Sequence, residues 1–87
     1  MAGDYPSADF EILEEGAIRR VVHLPTGLML ETVRSGVDPI AVSAAFSVEV
    51  GDDVDRPREI VQAALRHLRV WLMRRYGNAS AHLATSE

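Results

Sequence analysis

The chain has 87 residues, the length of one small domain with room for only a modest hydrophobic core. It contains no cysteine, which excludes disulfides, thiol catalysis and cysteine-ligated zinc sites. Hydrophobic residues make up 47% of the sequence and charged residues 25%, a balance typical of a folded domain. No apolar run approaches the roughly 20 residues of a membrane span, and residues 1–10 lack a secretory pattern. We therefore predict a cytoplasmic protein with no membrane partner.

Charge is divided unevenly along the chain. Residues 1–55 carry three arginines and eleven acidic residues, whereas residues 56–76 carry six arginines and one acidic residue. The net charge of the whole chain is −4, and lysine is absent. An all-arginine set is typical of a GC-rich genome, but arginine is also the residue that binds carboxylates and phosphates through two parallel hydrogen bonds. The pattern indicates an acidic N-terminal part joined to a basic C-terminal part.

Turn-forming residues divide the N-terminal half of the chain into strands. Residues 1–8 are predicted to form a flexible leader. Strands are predicted over residues 9–15, 17–24 and 28–34. Gly16 separates the first two, and Pro25-Thr26-Gly27 separates the second pair, since proline presets φ and glycine accepts a positive φ. Ser35-Gly36 ends the third strand.

The segment 39–50 admits two interpretations. As a helix it would be capped by Asp38, begin with Pro39 and end before Gly51. Its apolar residues recur at every second position, however, which gathers them on one face of a strand and scatters them around a helix. The alternation favours a strand. The residues that alternate are Ile40, Val42, Ala44, Phe46, Val48 and Val50.

The most regular pattern follows the acidic turn at residues 51–55. A helix is predicted to begin at Pro57, after a cap at Asp55 or Arg56, and to end at Gly77, because glycine favours the left-handed conformation that terminates many helices. Residues 78–87 are then predicted to form a flexible tail. Along the helix one broad apolar stripe comprises Ile60, Val61, Ala64, Leu65, Leu68, Trp71, Leu72 and Tyr76.

These elements predict an α+β domain over residues 9–77, in which a four-stranded antiparallel meander is packed on one face by a single long C-terminal helix. The other face would carry Arg19 or Arg20 with Glu31, Ser43 and Ser47. Two sheet edges stay open, and an open edge favours pairing with another chain, so we predict a homodimer. The predicted core comprises Phe10, Ile12, Val42, Phe46, Val48, Leu65, Leu68, Trp71 and Leu72, together with members of residues 18–33 whose facing the sequence leaves open.

The sequence carries no motif of a catalytic or metal-binding site. His23, His67 and His82 lack the spacing of paired metal ligands, although a His23–His67 site stays open if the fold brings the two together. The acidic residues at 52, 53 and 55 lack the central glycine of a calcium loop. The serines show no nucleophile elbow. We predict that the protein is not an enzyme and uses no metal or cofactor.

The arginines of the helix are the remaining candidates for a binding surface. We predict a small non-enzymatic adaptor or regulator that binds itself and an unidentified protein partner. The alternative is a nucleic-acid-binding protein whose helix arginines contact phosphates. The acidic net charge argues against it, as does the position of Trp71 and Tyr76 on the core stripe, away from any base. The candidate contact residues for protein or nucleic acid are Arg66, Arg69, Arg74, Val70 and Met73.

Overall fold

Four strands and one long helix follow each other in the computed structural model, which describes residues 5–34, 40 and 42–85 and leaves out the side chains of residues 43, 44 and 78–85. A short 3-10 turn, Ser7–Asp9, precedes the first strand. The predicted α+β class, with an antiparallel meander and one C-terminal helix, is confirmed. The elements are β1 (Phe10–Glu15), β2 (Ile18–His23), β3 (Leu28–Arg34), β4 (Val42–Glu49) and α1 (Pro57–Thr85).

The strands pair in the order β1-β2-β3-β4, and every pair is antiparallel. Glu15 pairs with Ile18, so the first hairpin has a two-residue turn that begins with Gly16 at φ +60°. A glycine with positive φ at this position matches the twist of the flanking strands. In the second hairpin Gly27 has φ +78°, and its N–H donates to the His23 carbonyl at 2.7 Å. Both predicted turns are confirmed.

The segment that admitted two interpretations is a strand over Val42–Glu49. Val48 lies opposite Leu30, and Phe46 lies opposite Thr32, with an irregularity in the pairing between Thr32 and Arg34. The predicted turn at Ser35-Gly36 and the proposed strand start at Pro39 fall outside the described residues.

The hydrophobic core lies between α1 and the sheet face that it covers, which we call the inner face. Helix α1 packs mainly on β1, β2 and β3. Of the predicted core residues, Ile12, Val42, Val48, Leu65 and Trp71 are partly buried at its margin. Three more of them are buried, namely Phe10, Leu68 and Leu72. The rest of the buried apolar core consists of Val21, Leu28, Leu30, Ile60, Ala63 and Ala64.

One predicted core residue is misplaced: Phe46 is 43% exposed. Its register opposite Thr32 does put it on the inner face. A helix is about 10 Å wide and strands lie about 4.8 Å apart, so one helix covers about three strands and leaves the fourth open. The prediction was wrong because it assumed that a single helix covers all four strands of the sheet.

The predicted end of the helix at Gly77 is also wrong, since α1 continues to Thr85. A glycine costs about 1 kcal/mol inside a helix, and alanine, the best helix former, occupies positions 79, 81 and 84 of the continuation. The flexible tail predicted for residues 78–87 assumed the earlier end. Within the part of the chain that the structure describes, no helix combines the length and apolarity needed to cross a bilayer.

Candidate interaction surfaces

The two adjacent arginines of β2 have opposite environments. Arg20 lies on the outer face, the sheet face turned away from α1, and its Nε donates to Glu31 Oε2 at 3.1 Å. Arg19 lies on the inner face, where its side chain is fully buried and its Nε is 3.6 Å from Glu14 Oε2. The sequence left open which of the two faced outward, and the structure assigns Arg20, with Glu31 and Ser47, to the outer face. The side chain of Ser43 is not described.

Glu14 is the centre of a partly buried polar network between α1 and the sheet. Tyr76 donates its hydroxyl proton to Glu14 Oε1 at 2.6 Å, and Arg75 Nε lies 3.0 Å from the same oxygen. The hydrogen bond to Tyr76, together with the Glu14 carboxylate, raises the pKa of the Arg75 guanidinium above its ordinary value. These contacts hold α1 against β1 and β2, so we interpret the network as structural.

Sequence reasoning missed this network, although a signal for it existed. Arg19, Val21 and His23 alternate along β2, so any register that buries Val21 also turns Arg19 inward. A buried guanidinium needs a carboxylate on a facing element, and Glu14 is two residues along from Ile12 on the same face of β1.

The two histidines that the fold brings together serve packing. Their rings each pack against the Phe10 ring, with centroid distances of 4.8 Å for His23 and 4.9 Å for His67. His23 Nδ1 is hydrogen-bonded to Thr26 Oγ1, and His67 Nε2 to the Tyr5 carbonyl, both at 2.8 Å. Among the described residues no group of three or more histidine, aspartate or glutamate side chains is placed to hold a metal. The His82 side chain is not described.

The N-terminal segment is fastened to the domain through Tyr5. Its carbonyl binds His67, its ring meets the His23 ring edge-on, and its hydroxyl donates to Glu59 Oε1 at 3.3 Å. Burial and the nearby Glu59 carboxylate raise the pKa of the Tyr5 hydroxyl. Tyr5 thus contacts the domain from outside the range 9–77, and the boundary at residue 9 stays a prediction.

The two edge strands of the sheet differ in charge. Strand β1, FEILEE, carries three glutamates in six residues, whereas β4, VSAAFSVE, carries one charge, at its last residue. Charged side chains on an edge discourage another strand from pairing with it. Beside β4 an apolar cavity of about 390 Å³ opens between the sheet and α1, and its apolar walls include Phe46, Val48, Val61 and Leu65.

The predicted contact residues of α1 all lie outside the buried stripe of the helix. Arg66, Arg69 and Arg74 are exposed, and Val70 and Met73 are 44% and 56% exposed. The helical positions predicted for them are therefore confirmed, while their role in binding stays a prediction. We call this set of five residues the arginine face.

No protein-family model, curated protein or solved structure matches this chain. The basis for a functional proposal is therefore the two exposed surfaces, the β4 edge and the arginine face.

Proposed function

We propose that this protein is a non-enzymatic protein-interaction module that forms a homodimer through β4 and acts in the cytoplasm as an adaptor or regulator. The observation that carries the proposal is the open edge of β4, whose first seven residues, Val42–Val48, are uncharged. An uncharged strand at the edge of a sheet is a template for pairing with another strand.

A second copy of the same strand suits this edge. Antiparallel pairing centred on Phe46 would place the two Phe46 side chains opposite each other, with Cβ atoms about 5 Å apart. Each Glu49 would then lie opposite Ser43, so that no like charges oppose each other. The contact would bury the Phe46 ring, which α1 leaves 43% exposed in the single chain.

The same arrangement explains why association would stop at two copies. A two-fold contact uses the same patch on both partners and closes on itself. The resulting sheet would have eight strands and end in β1 on both sides, where the exposed Glu11 and Glu15 protect each edge. A dimer of this kind has no remaining uncharged edge.

Sedimentation velocity on matched edge variants tests the proposal. We expect the unmodified chain to sediment as a dimer and Phe46→Lys to sediment as a monomer, because a lysine at the centre of the interface opposes its own copy. Leu13→Lys is the control, since Leu13 is 50% exposed on the other edge strand. A monomeric unmodified chain, or equal dissociation by both substitutions, would overturn the proposal.

A further inference from the structure

We propose that the arginine face binds an acidic amphipathic helix of a partner protein, with the partner's carboxylates on the arginines and its apolar side chains on Val70 and Met73. The surface lies on α1, away from the β4 edge, and all five of its residues are exposed. The inference does not depend on pairing through β4.

Within the described residues, the charge of this face has no compensating carboxylate. Arg19, Arg20, Arg56 and Arg75 each lie within about 4 Å of a carboxylate. Among the described residues, by contrast, no carboxylate forms an ion pair with any arginine of the arginine face. Three cations on one side of the helix, without a carboxylate partner among the described residues, favour an acidic partner. They also oppose docking of the same face of a second copy, because like charges would meet.

Apolar surface lies in the same patch. Val70 and Met73 are three residues apart, so they are neighbours on the helix surface, with Arg69 and Arg74 on either side of them in sequence. Val70 and Arg74 also border a cavity of about 450 Å³ between α1 and β1, whose apolar lining includes Phe10, Ile12 and Trp71. A partner helix lying along α1 could place a large apolar side chain in this cavity.

These features favour a protein partner over a nucleic acid. Phosphates would contact the arginines but would leave Val70 and Met73, in the middle of the patch, facing a charged backbone. Nucleic-acid binders combine cations with accessible aromatic rings on which bases stack. The two aromatic residues of this half of α1, Trp71 and Tyr76, are packed at the margin of the core.

Fluorescence anisotropy on the full chain tests the inference with three labelled probes. The first is a synthetic helical peptide of about 18 residues with leucines on one face and glutamates on the other. The second keeps the glutamates but replaces leucine by glutamine. The third is a DNA duplex of about 18 base pairs, which presents phosphates without an apolar face. We expect the leucine–glutamate peptide to bind at least about tenfold more tightly than either of the others.

Variants locate the binding on the surface. We expect Arg69→Glu with Arg74→Glu, and separately Val70→Gln with Met73→Gln, to weaken peptide binding by about tenfold or more. Arg34→Glu is the control for a single exposed arginine elsewhere. Circular dichroism checks that each variant stays folded. Phe46→Lys should keep peptide binding even if it abolishes the dimer, so the two proposals can fail separately.

Three results would overturn the inference. The first is equal binding of the leucine-free peptide, which would indicate simple polyanion attraction. The second is tighter binding of the DNA duplex, which would favour the nucleic-acid alternative. The third is no binding of the leucine–glutamate peptide at protein concentrations on the order of 100 μM, where even a weak interface would be detected.

Discussion

The two phenylalanines of the chain occupy the two edge strands of the sheet and have opposite environments. Phe10, in β1, is 9% exposed and packs against two histidine rings, whereas Phe46, in β4, is 43% exposed. Both face the side of the sheet that α1 covers. The difference arises because α1 lies over β1 and its neighbours and leaves β4 open. One edge strand of this sheet thus contributes its phenylalanine to the core, and the other leaves its phenylalanine exposed to solvent.

Matched truncation of the two rings gives the largest expected contrast. Phe10→Ala should lower the free energy of unfolding by about 3–5 kcal/mol, because it empties a filled core site. Phe46→Ala should lower it by about 1 kcal/mol or less, because its ring is half in solvent already. Urea denaturation at a protein concentration too low for dimerisation would measure both. Equal losses of unfolding free energy in the two variants would show that α1 covers β4 as it covers β1.

The next largest difference in stability is expected between substitutions of two neighbouring glutamates of β1, Glu14 and Glu15. Glu14→Ala should lower the free energy of unfolding by about 3 kcal/mol, because it leaves Arg19 buried without its carboxylate neighbour. Glu15→Ala is the control, since Glu15 is the next residue along and is exposed. Urea denaturation of the two variants would measure both losses of unfolding free energy. A cost below about 1 kcal/mol for Glu14→Ala would mean that the network does not hold α1 in place.

The smallest expected effect concerns Tyr5, which attaches the N-terminal segment to the domain. The pKa of Tyr5 is raised above its ordinary value of 10.0, so its neutral form stabilises the fold below that pH. This stabilisation is lost as pH rises through the folded-state pKa, because the deprotonated ring then repels Glu59. We expect Tyr5→Phe to reduce the loss of stability at alkaline pH. Urea midpoints measured from pH 8 to about pH 11 would show this, and parallel curves for the two proteins would contradict it.

Much of the fold was predictable because it is encoded in local signals. Gly16 and Gly27 mark hairpin turns, and the alternation around Phe46 and Val48 identifies β4. The features that escaped prediction depend on more than one element. Phe46 is exposed because α1 is narrower than the sheet. The helix continues beyond Gly77 because the small helix propensities of the residues that follow add up.

The candidate surfaces were predictable to different extents. The outward position of Arg66 and Arg69 follows from the helical period alone, which is why the arginine face could be identified from the sequence. The Glu14–Tyr76 hydrogen bond joins residues 62 positions apart, and no local pattern reveals such a pair. The charge contrast between β1 and β4 is visible in the sequence, but its meaning depends on knowing that both strands are edges.

The strand order has a consequence for how the chain folds as it is made. Each strand pairs with its neighbour in sequence, so the loops that close during sheet formation are short and their entropy cost is small. Helix α1 comes last, and its contacts reach back to the first strand. A nascent chain can therefore hold a complete sheet with a bare apolar side while α1 is still being synthesised. During that interval the uncharged stretch Val42–Val48 of β4 is exposed beside the bare side, which makes synthesis the period of greatest risk of aggregation.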